Sequence, residues 1–573
     1  MEKETKTYYQ IMKKNGILLL LAAAGLLTAC SGKLGTLSAD NFNVTPNPLE
    51  TEAGQVPATI NGMFPEKYMK KKAVVKVIPQ LRYQTLQGMK SVNGESATFQ
   101  GEKVLGNDQT ISYQTGGRYT MKTNFQYTPE MQQSDLYLTF DAKVGKKTVK
   151  VPDVKVATGI VATSELYKRT LASANAALAE DAFQRISQQK QEANIKFLIG
   201  QAQLRKSELQ NNSVQEFVRL LNEIAKDQEG KVLDNVEVSA YASPDGGYEL
   251  NERLAGKRQD VTAEYVDQQM KKSKNDAPID TKYTAEDWEG FQELVAASDI
   301  QDKDVIPRVL SMYQDPEERE QQIKNISAAF RELTDGILPQ LRRARLTINY
   351  ELVGRDDEQI LAQRKEDASK LSLEEILYGA TLYENDINSS EAAYKKAIQL
   401  YPNDARAYNN MANLAYAKGN YSDAKQWLEK ALLVDKNQPE ANANLGLLAL
   451  QQGDMLNAET YIAKASQANG LNEVLGNLHL AQGKYAQAEQ DFGYKASNSA
   501  ALAQIMNKNY QQAATTLKNV KNADAITDYL RAILNARTGN ATDAAQALQQ
   551  AIAKDPSLAD YAKKDLELVK VNK

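Results

Sequence analysis

Residues Val236–Val266 read VEVSAYASPDGGYELNERLAGKRQDVTAEYV. Val236, Val238 and Ala240 alternate with polar partners, which predicts a strand with one buried face. Ser243-Pro244-Asp245-Gly246-Gly247 follows; proline fixes φ and the glycines permit φ > 0, so the chain can reverse tightly there. Asn251 stands where an N-cap is wanted, and Leu254, Val261 and Tyr265 keep helical spacing behind it. Outward from this strand–turn–helix, Phe217, Leu220, Leu221 and Ile224 give Ser213–Lys226 one apolar helical face. Leu346, Ile348 and Tyr350 make a returning strand of Leu341–Leu352. The reading is an α/β domain over 194–353 with a helical insertion at 273–338, in which Thr284-x-x-Asp287 is a capping pair.

Asn251, Leu254, Arg258 and Tyr265–Val266 stand at offsets 0, 3, 7 and 14–15, and Phe197-x-Ile199-x-x-Ala202-x-Leu204 precedes them as an opening strand. Together these resemble the OmpA-like peptidoglycan-binding domain, in the variant with a helical insertion frequent in Bacteroidota envelope proteins. The resemblance implies a site in which the helix arginine and an aspartate eight residues before the asparagine hold the zwitterionic end of diaminopimelate. Arginine suits the carboxylate because its planar fork bonds both oxygens. Here Arg258 is present and Ser243 stands in the aspartate's place, with Asp245 two residues on as a substitute. The implied peptidoglycan-binding set is therefore Arg258, Asp245, Ser243 and Asn251.

At the N-terminus Lys13–Lys14 precede the apolar run Ile17–Leu27 and then Leu27-Thr28-Ala29-Cys30. The run is shorter than the ~20 residues of a spanning helix and has the regions of a signal peptide. Its ending resembles a bacterial lipobox. The expectation is a lipoprotein signal peptide over 1–29, lipidation at Cys30 and a tether over 30–34. Ser31 after the cysteine resembles the pattern that sends lipoproteins to an outer membrane, and the residues after it lack the acidic cluster of surface export. The expected location is the outer membrane, lipid-anchored and facing the periplasm.

From 35 to 163 the pattern has period two. Val75, Val77, Leu81 and Tyr83 alternate, as do Tyr119, Met121 and Phe125, and Leu136, Leu138 and Phe140, with glycine turns between them; this predicts a β-sandwich. Residues 164–193 hold no glycine or proline, and Leu166, Leu171, Ala174 and Leu178 fit a linker helix.

The last third repeats. Gly419, Gly453 and Gly483 recur with Ala424, Ala458 and Ala488, each preceded by Met411, Leu445 or Leu475 and followed by Leu428, Ile462 or Phe492. Over 371–573 this resembles the tetratricopeptide repeat, whose small residues let paired helices approach closely. The unit around Tyr510 and Ala513 is short, so its first helix should be truncated. Such arrays imply an all-α solenoid with a concave peptide-binding surface. The repeat period assigns Arg406, Asn409, Asn413, Tyr416 and Leu447 to that groove.

The fold class is thus multidomain: β-sandwich, α/β domain with insertion, helical-repeat solenoid. One cysteine and one histidine in 573 residues exclude intrachain disulfides and zinc sites built from several Cys and His ligands. A net charge of −4 gives no footprint for nucleic acid. No cofactor, metal or catalytic residue is expected. The function expected is a non-catalytic scaffold that links the outer membrane to the cell wall and recruits an envelope complex for assembly, secretion or transport. The alternative is a structural subunit or adhesin- or fimbria-assembly factor whose OmpA-like domain no longer binds peptidoglycan.

Overall fold

The computed structural model describes residues 34–300, 303–325, 330–383, 386–569 and 571; Cys30, the signal peptide and most of the tether lie outside them. The described residues fall into two compact units, the first drawn from Met1–Glu180 and Tyr383–Lys573, the second from Asp181–Leu382. Among them no helix is long and apolar enough to cross a membrane.

Unit 1 begins with two sheets. Phe42–Thr45, Gln55–Phe64 and Gly117–Gln126 form an antiparallel one. The larger is ordered Lys147–Val149, Asp135–Val144, Ala73–Thr85, Ala97–Gly101, Gln109–Ile111, with only its last pair parallel. The alternation of these strands sends one side-chain row inward: Val56, Ile60 and Phe125 from the first sheet meet Val75, Val77, Leu81, Leu136 and Leu138 from the second in one core. This is a two-sheet sandwich.

The helix expected over 164–193 does not form. Three short turns, Thr163–Leu166, Tyr167–Thr170 and Leu171–Ser173, give way at Ala174 to extended backbone, and Ile186–Lys196 is a strand. Alanine-rich sequence favours helix, but propensity is a weak prior that tertiary partners override. For Ala174–Glu180, here called the strap, the partners are side chains of the repeats.

Those repeats are helix pairs: Arg406–Ala417 with Tyr421–Val434, Pro439–Gln452 with Met455–Ile462, Leu471–Ala481 with Tyr485–Phe492, Asn498–Met506 with Tyr510–Asn519, and Ala525–Arg537 with Ala541–Lys554. Gly419, Gly453, Gly483 and Gly539 follow the first helices at φ between +73° and +84°, the left-handed conformation that exposes carbonyls for capping and suits residues without Cβ. In the fourth pair the first helix has only 9 residues, and Lys508 takes that place at φ 64°. Ala424, Ala458, Ala488, Ala513 and Ala544 are buried between the paired helices. Behind the last pair Thr163 Oγ1 donates to Glu567 at 2.8 Å, and the Tyr529 hydroxyl donates to the buried Asp565 at 2.7 Å.

Unit 2 is built on a sheet ordered Ile186–Lys196, Arg343–Val353, Lys231–Tyr241, Ile279–Thr284. Helices Asn212–Lys226 and Tyr248–Ser273 accompany it, and Phe217, Leu221, Ile224, Val266 and Met270 pack with Val236, Val238, Ala240, Leu346 and Ile348. The opening strand lies earlier than Phe197–Leu204: Phe197 is buried just past its end, and Ile199 is exposed. The insertion is not wholly helical either. Lys274 ends the long helix in the left-handed conformation, and Ile279–Thr284 returns as a parallel edge strand against Lys231–Tyr241. Asp287 alone caps the next helix, Trp288–Ala297, accepting from the Gly290 N–H at 2.9 Å. Phe291, Val295, Ile306, Leu310, Leu333, Ile337, Leu338 and Leu341 form a separate small core.

Candidate functional site

Two polar clusters carry the residues singled out in the sequence. In unit 1, Asn409 and Asn413 lie one turn apart on Arg406–Ala417 and so share a face. Both donate from Nδ2 to the Ala177 carbonyl, at 2.9 and 2.8 Å. Asn444, on Pro439–Gln452, donates to the same oxygen at 2.8 Å and accepts the Ala177 N–H at 2.6 Å. Asn410 does the same for Ala179, accepting its N–H at 3.0 Å and donating to its carbonyl at 2.9 Å. An amide carries both a donor and an acceptor, so Asn444 and Asn410 each replace a neighbouring strand for one residue of an extended chain.

The same groove holds the turns before the strap as well as the strap's two ends. Tyr416 donates to the Leu171 carbonyl at 2.6 Å, and burial raises its phenol pKa far above the ordinary value. Ser499 and Thr170 share a hydroxyl contact at 2.9 Å, and Asn498 donates to Ser173 at 3.2 Å. Glu473 accepts the N–H and side-chain amide of Asn175 at 3.1 and 3.0 Å. Arg406 reaches the Glu180 carbonyl at 3.3 Å but is mainly paired with Asp404 at 2.9 Å.

Of the groove residues drawn from the repeat period, Arg406, Asn409 and Asn413 touch the strap, and Tyr416 holds Leu171 just before it. Leu447 does not present a polar face; it is fully buried in the core that also takes Leu171, Ala174 and Ala177. The period carried Asn413 onto Leu447, and a leucine at that place packs where the amide would bond. Asn410, Asn444, Glu473 and Asn498 were not identified. The signal was available for one pair: Asn410 and Asn444 are separated by the same interval as Gly419 and Gly453.

In unit 2 the turn after Lys231–Tyr241 gathers Ser243, Asp245, Asn251 and Arg258. Asn251 is not the N-cap, a place held by Gly247. It sits in the first turn and donates to the Ser243 and Gly246 carbonyls at 3.1 and 2.7 Å, tying the turn to the helix. Arg258 is wholly buried. Its guanidinium donates to the carbonyls of Gln201, Tyr241 and Leu198 at 3.0, 2.8 and 3.3 Å and stacks over Phe197. Burial, then the nearby Arg342 charge, push its pKa down to about 10. Asp245 pairs with Arg342 at 2.8 Å and accepts the Ser243 hydroxyl, while Arg342 Nε donates to Ser243 at 3.1 Å. Beside them Arg343 pairs with Asp287 at 3.0 Å and stacks on Tyr241, as does Arg345. Every member of the cluster named here thus has a partner within the chain. Among the described residues no group of three or more His, Cys, Asp or Glu side chains could hold a metal.

Comparison with known proteins bears on the helical part. The family model described as Tetratricopeptide repeat matches residues 382–450. The Type IV pilus assembly protein PilF of Pseudomonas aeruginosa is 27% identical over 100 residues, which are 17% of this chain and 39% of that protein. The chain therefore spans well under half of that relative's length. Among solved structures, a tetratricopeptide repeat protein from Parabacteroides merdae is 17% identical with a TM-score of 0.27, covering 37% of this chain and 91% of that one. The PilF structure from Pseudomonas aeruginosa is 19% identical with a TM-score of 0.25, covering 32% and 92%. With the family match, the recurring glycines and the stacked pairs, the C-terminal part of this chain is an array of tetratricopeptide repeats.

Proposed function

We propose that this protein is a non-catalytic scaffold of a cell envelope, lipidated at Cys30, held on the outer membrane and facing the periplasm. In this reading its OmpA-like unit touches peptidoglycan and its repeats hold an envelope complex for assembly, secretion or transport. The observation that carries the protein-binding part is the groove, where side-chain amides of two repeats hold an extended segment by its main chain. Supporting the wall contact, Ser243 and Asp245 meet at one turn with Arg342 beside them.

A second reading, an assembly factor for an adhesin or fimbria without wall binding, draws on two observations. One is the similarity to a pilus assembly protein. The other is that Arg258 spends its donors on main-chain carbonyls, leaving a ligand carboxylate to compete with them.

Sedimentation of the full-length protein with purified sacculi separates the two. The first reading expects retention that Asp245→Ala abolishes; recovery of all the protein in the supernatant sinks it and favours the second. Metabolic palmitate labelling, lost in Cys30→Ser, tests the anchor that both require.

A further inference from the structure

We propose that the strap is a resident internal ligand of the repeat groove, and that the groove's external partner is a polypeptide whose extended segment has small residues two apart. That partner would enter by displacing the strap. The inference rests on the protein-binding part of the reading above and deepens it by naming the chemistry of the partner.

Three features of the groove define that chemistry. First, it reads main chain. Ala177 and Ala179 each have N–H and carbonyl bonded to amide side chains, with Asn409, Asn413 and Asn444 converging on one oxygen. Any extended chain offers the same groups at the same two-residue interval. Second, small side chains suit those two places. Ala177 and Ala179 are buried at 3% and 2% exposure, so a larger side chain at either would have to displace its neighbours. Third, the flanks add side-chain recognition. Glu473 holds Asn175, and Asn469 donates to the Glu180 carboxylate at 2.7 Å. The pattern is Asn-x-Ala-x-Ala-Glu.

The means of attachment favours exchange. From Ala174 to Glu180 the buried side chains are alanines, which contribute little apolar area. The strap is held chiefly by hydrogen bonds that an incoming chain would reproduce one for one, while the asparagines, being neutral, could pass through water between occupants. What keeps the strap in place is its attachment at both ends, equivalent to a high local concentration. An external segment of equal intrinsic affinity is therefore masked until the strap is weakened.

The test uses the full chain and a fluorescent peptide of the strap sequence, TLASANAALAED. Ala177→Asp with Ala179→Asp places two charges among buried groups and should eject the strap while leaving the groove intact. The peptide should bind this variant at least tenfold tighter than the wild type. Adding Asn410→Ala and Asn444→Ala, or using a peptide with leucine at both alanine positions, should remove the gain. No gain in a variant whose helical melt matches the wild type overturns the proposal.

If the charged variant fails to fold, hydrogen exchange on the wild type decides. The amides of Ala177 and Ala179 should have protection factors at least tenfold below those of Leu447 and Leu530, because the strap opens before the array. Equal protection overturns it. A groove that takes the peptide in a chain neither lipidated nor retained on sacculi sinks the envelope reading and leaves this one standing; a retained, lipidated chain whose groove refuses the peptide does the reverse.

Discussion

The asparagines of the repeats and the arginine of unit 2 do the same thing with opposite consequences. Each takes hold of main-chain groups within its own unit. Asn409, Asn410, Asn413 and Asn444 grip a segment more than 230 residues away in sequence, and they do so as neutral groups that lose little if that segment leaves. Arg258 grips the Gln201, Tyr241 and Leu198 carbonyls with a buried charge. A buried cation deprived of partners is costly, so such a group stays where it is. The groove is suited to exchange; the arginine is a fixture. A site cannot be inferred from polar residue type alone, because what a side chain costs to release decides whether it can serve a ligand.

The largest test of that contrast is Arg258→Met. Three carbonyls lose a charged donor, and the expected loss of unit 2 stability is about 3 kcal/mol or more. Trp288 lies in unit 2 and Trp427 in unit 1, and these are the two tryptophans of the chain. With Trp427→Phe as background, Trp288 fluorescence in a denaturant titration reports unit 2. Arg258→Lys should fall between, since an ammonium cannot span three carbonyls. A midpoint unchanged in the methionine variant would mean that the guanidinium is not structural, and would return it to the list of ligand groups.

Unit 1 has its own buried charge away from the groove, and it sharpens the comparison. Burial raises the Asp565 pKa from 3.8 to about 6, against the hydrogen bonds from Tyr529 and the Glu567 N–H that favour the carboxylate. The folded form therefore holds its proton more tightly than the unfolded chain. Between pH 4 and 6 the folded state binds more protons, so stability falls as pH rises, and the cost is complete above pH 6. Its size is at most about 3 kcal/mol. In Trp288→Phe chains, where Trp427 reports unit 1, Asp565→Asn should flatten that part of the pH–stability curve. It should be neutral or stabilising at pH 7. An unaltered curve would show that Asp565 does not titrate there.

How much of this could be read from the sequence follows from how far apart the partners are. Gly419, Gly453 and Gly483 mark helix ends because a left-handed residue is a local requirement. Val236, Val238 and Ala240 gave a strand face because alternation is local as well. The strap was hidden. Its alanines fit a helix, and nothing within ten residues of Ala177 says that four asparagines from two repeats will replace the helical bonds. Asn409 and Asn413 were legible as groove residues, but the occupant was not. Asn251 shows the reverse: its type and place suit a cap, yet its amide serves carbonyls of the turn, a distinction that depends on which side of the turn the side chain faces.

A middle-sized effect separates the strap from the array. Asn410→Ala leaves the Ala179 N–H and carbonyl without the partners they have now, which costs about 1–2 kcal/mol if both stay buried. The expected result is faster amide exchange at Ala179 with the unfolding midpoint seen by Trp427 almost unchanged, because the strap can lift off. Were the whole array to lose that stability, strap and repeats would be one cooperative body, and the groove would resemble the arginine cluster.

The smallest effect comes from the same residue type as the largest. Arg406 and Arg258 each donate to a main-chain carbonyl, but Arg406 keeps about a fifth of its side chain exposed and is held first by Asp404. Water can take over the Glu180 carbonyl when the guanidinium is removed, and a part-exposed ion pair contributes at most about 1 kcal/mol. Arg406→Ala should therefore shift the Trp427 midpoint by less than ~1 kcal/mol, with faster exchange confined to the Glu180 end of the strap. A loss as large as that of Arg258→Met would mean that the rim anchors the strap, and that the distinction between exchangeable neutral grips and fixed charged ones fails where it was drawn.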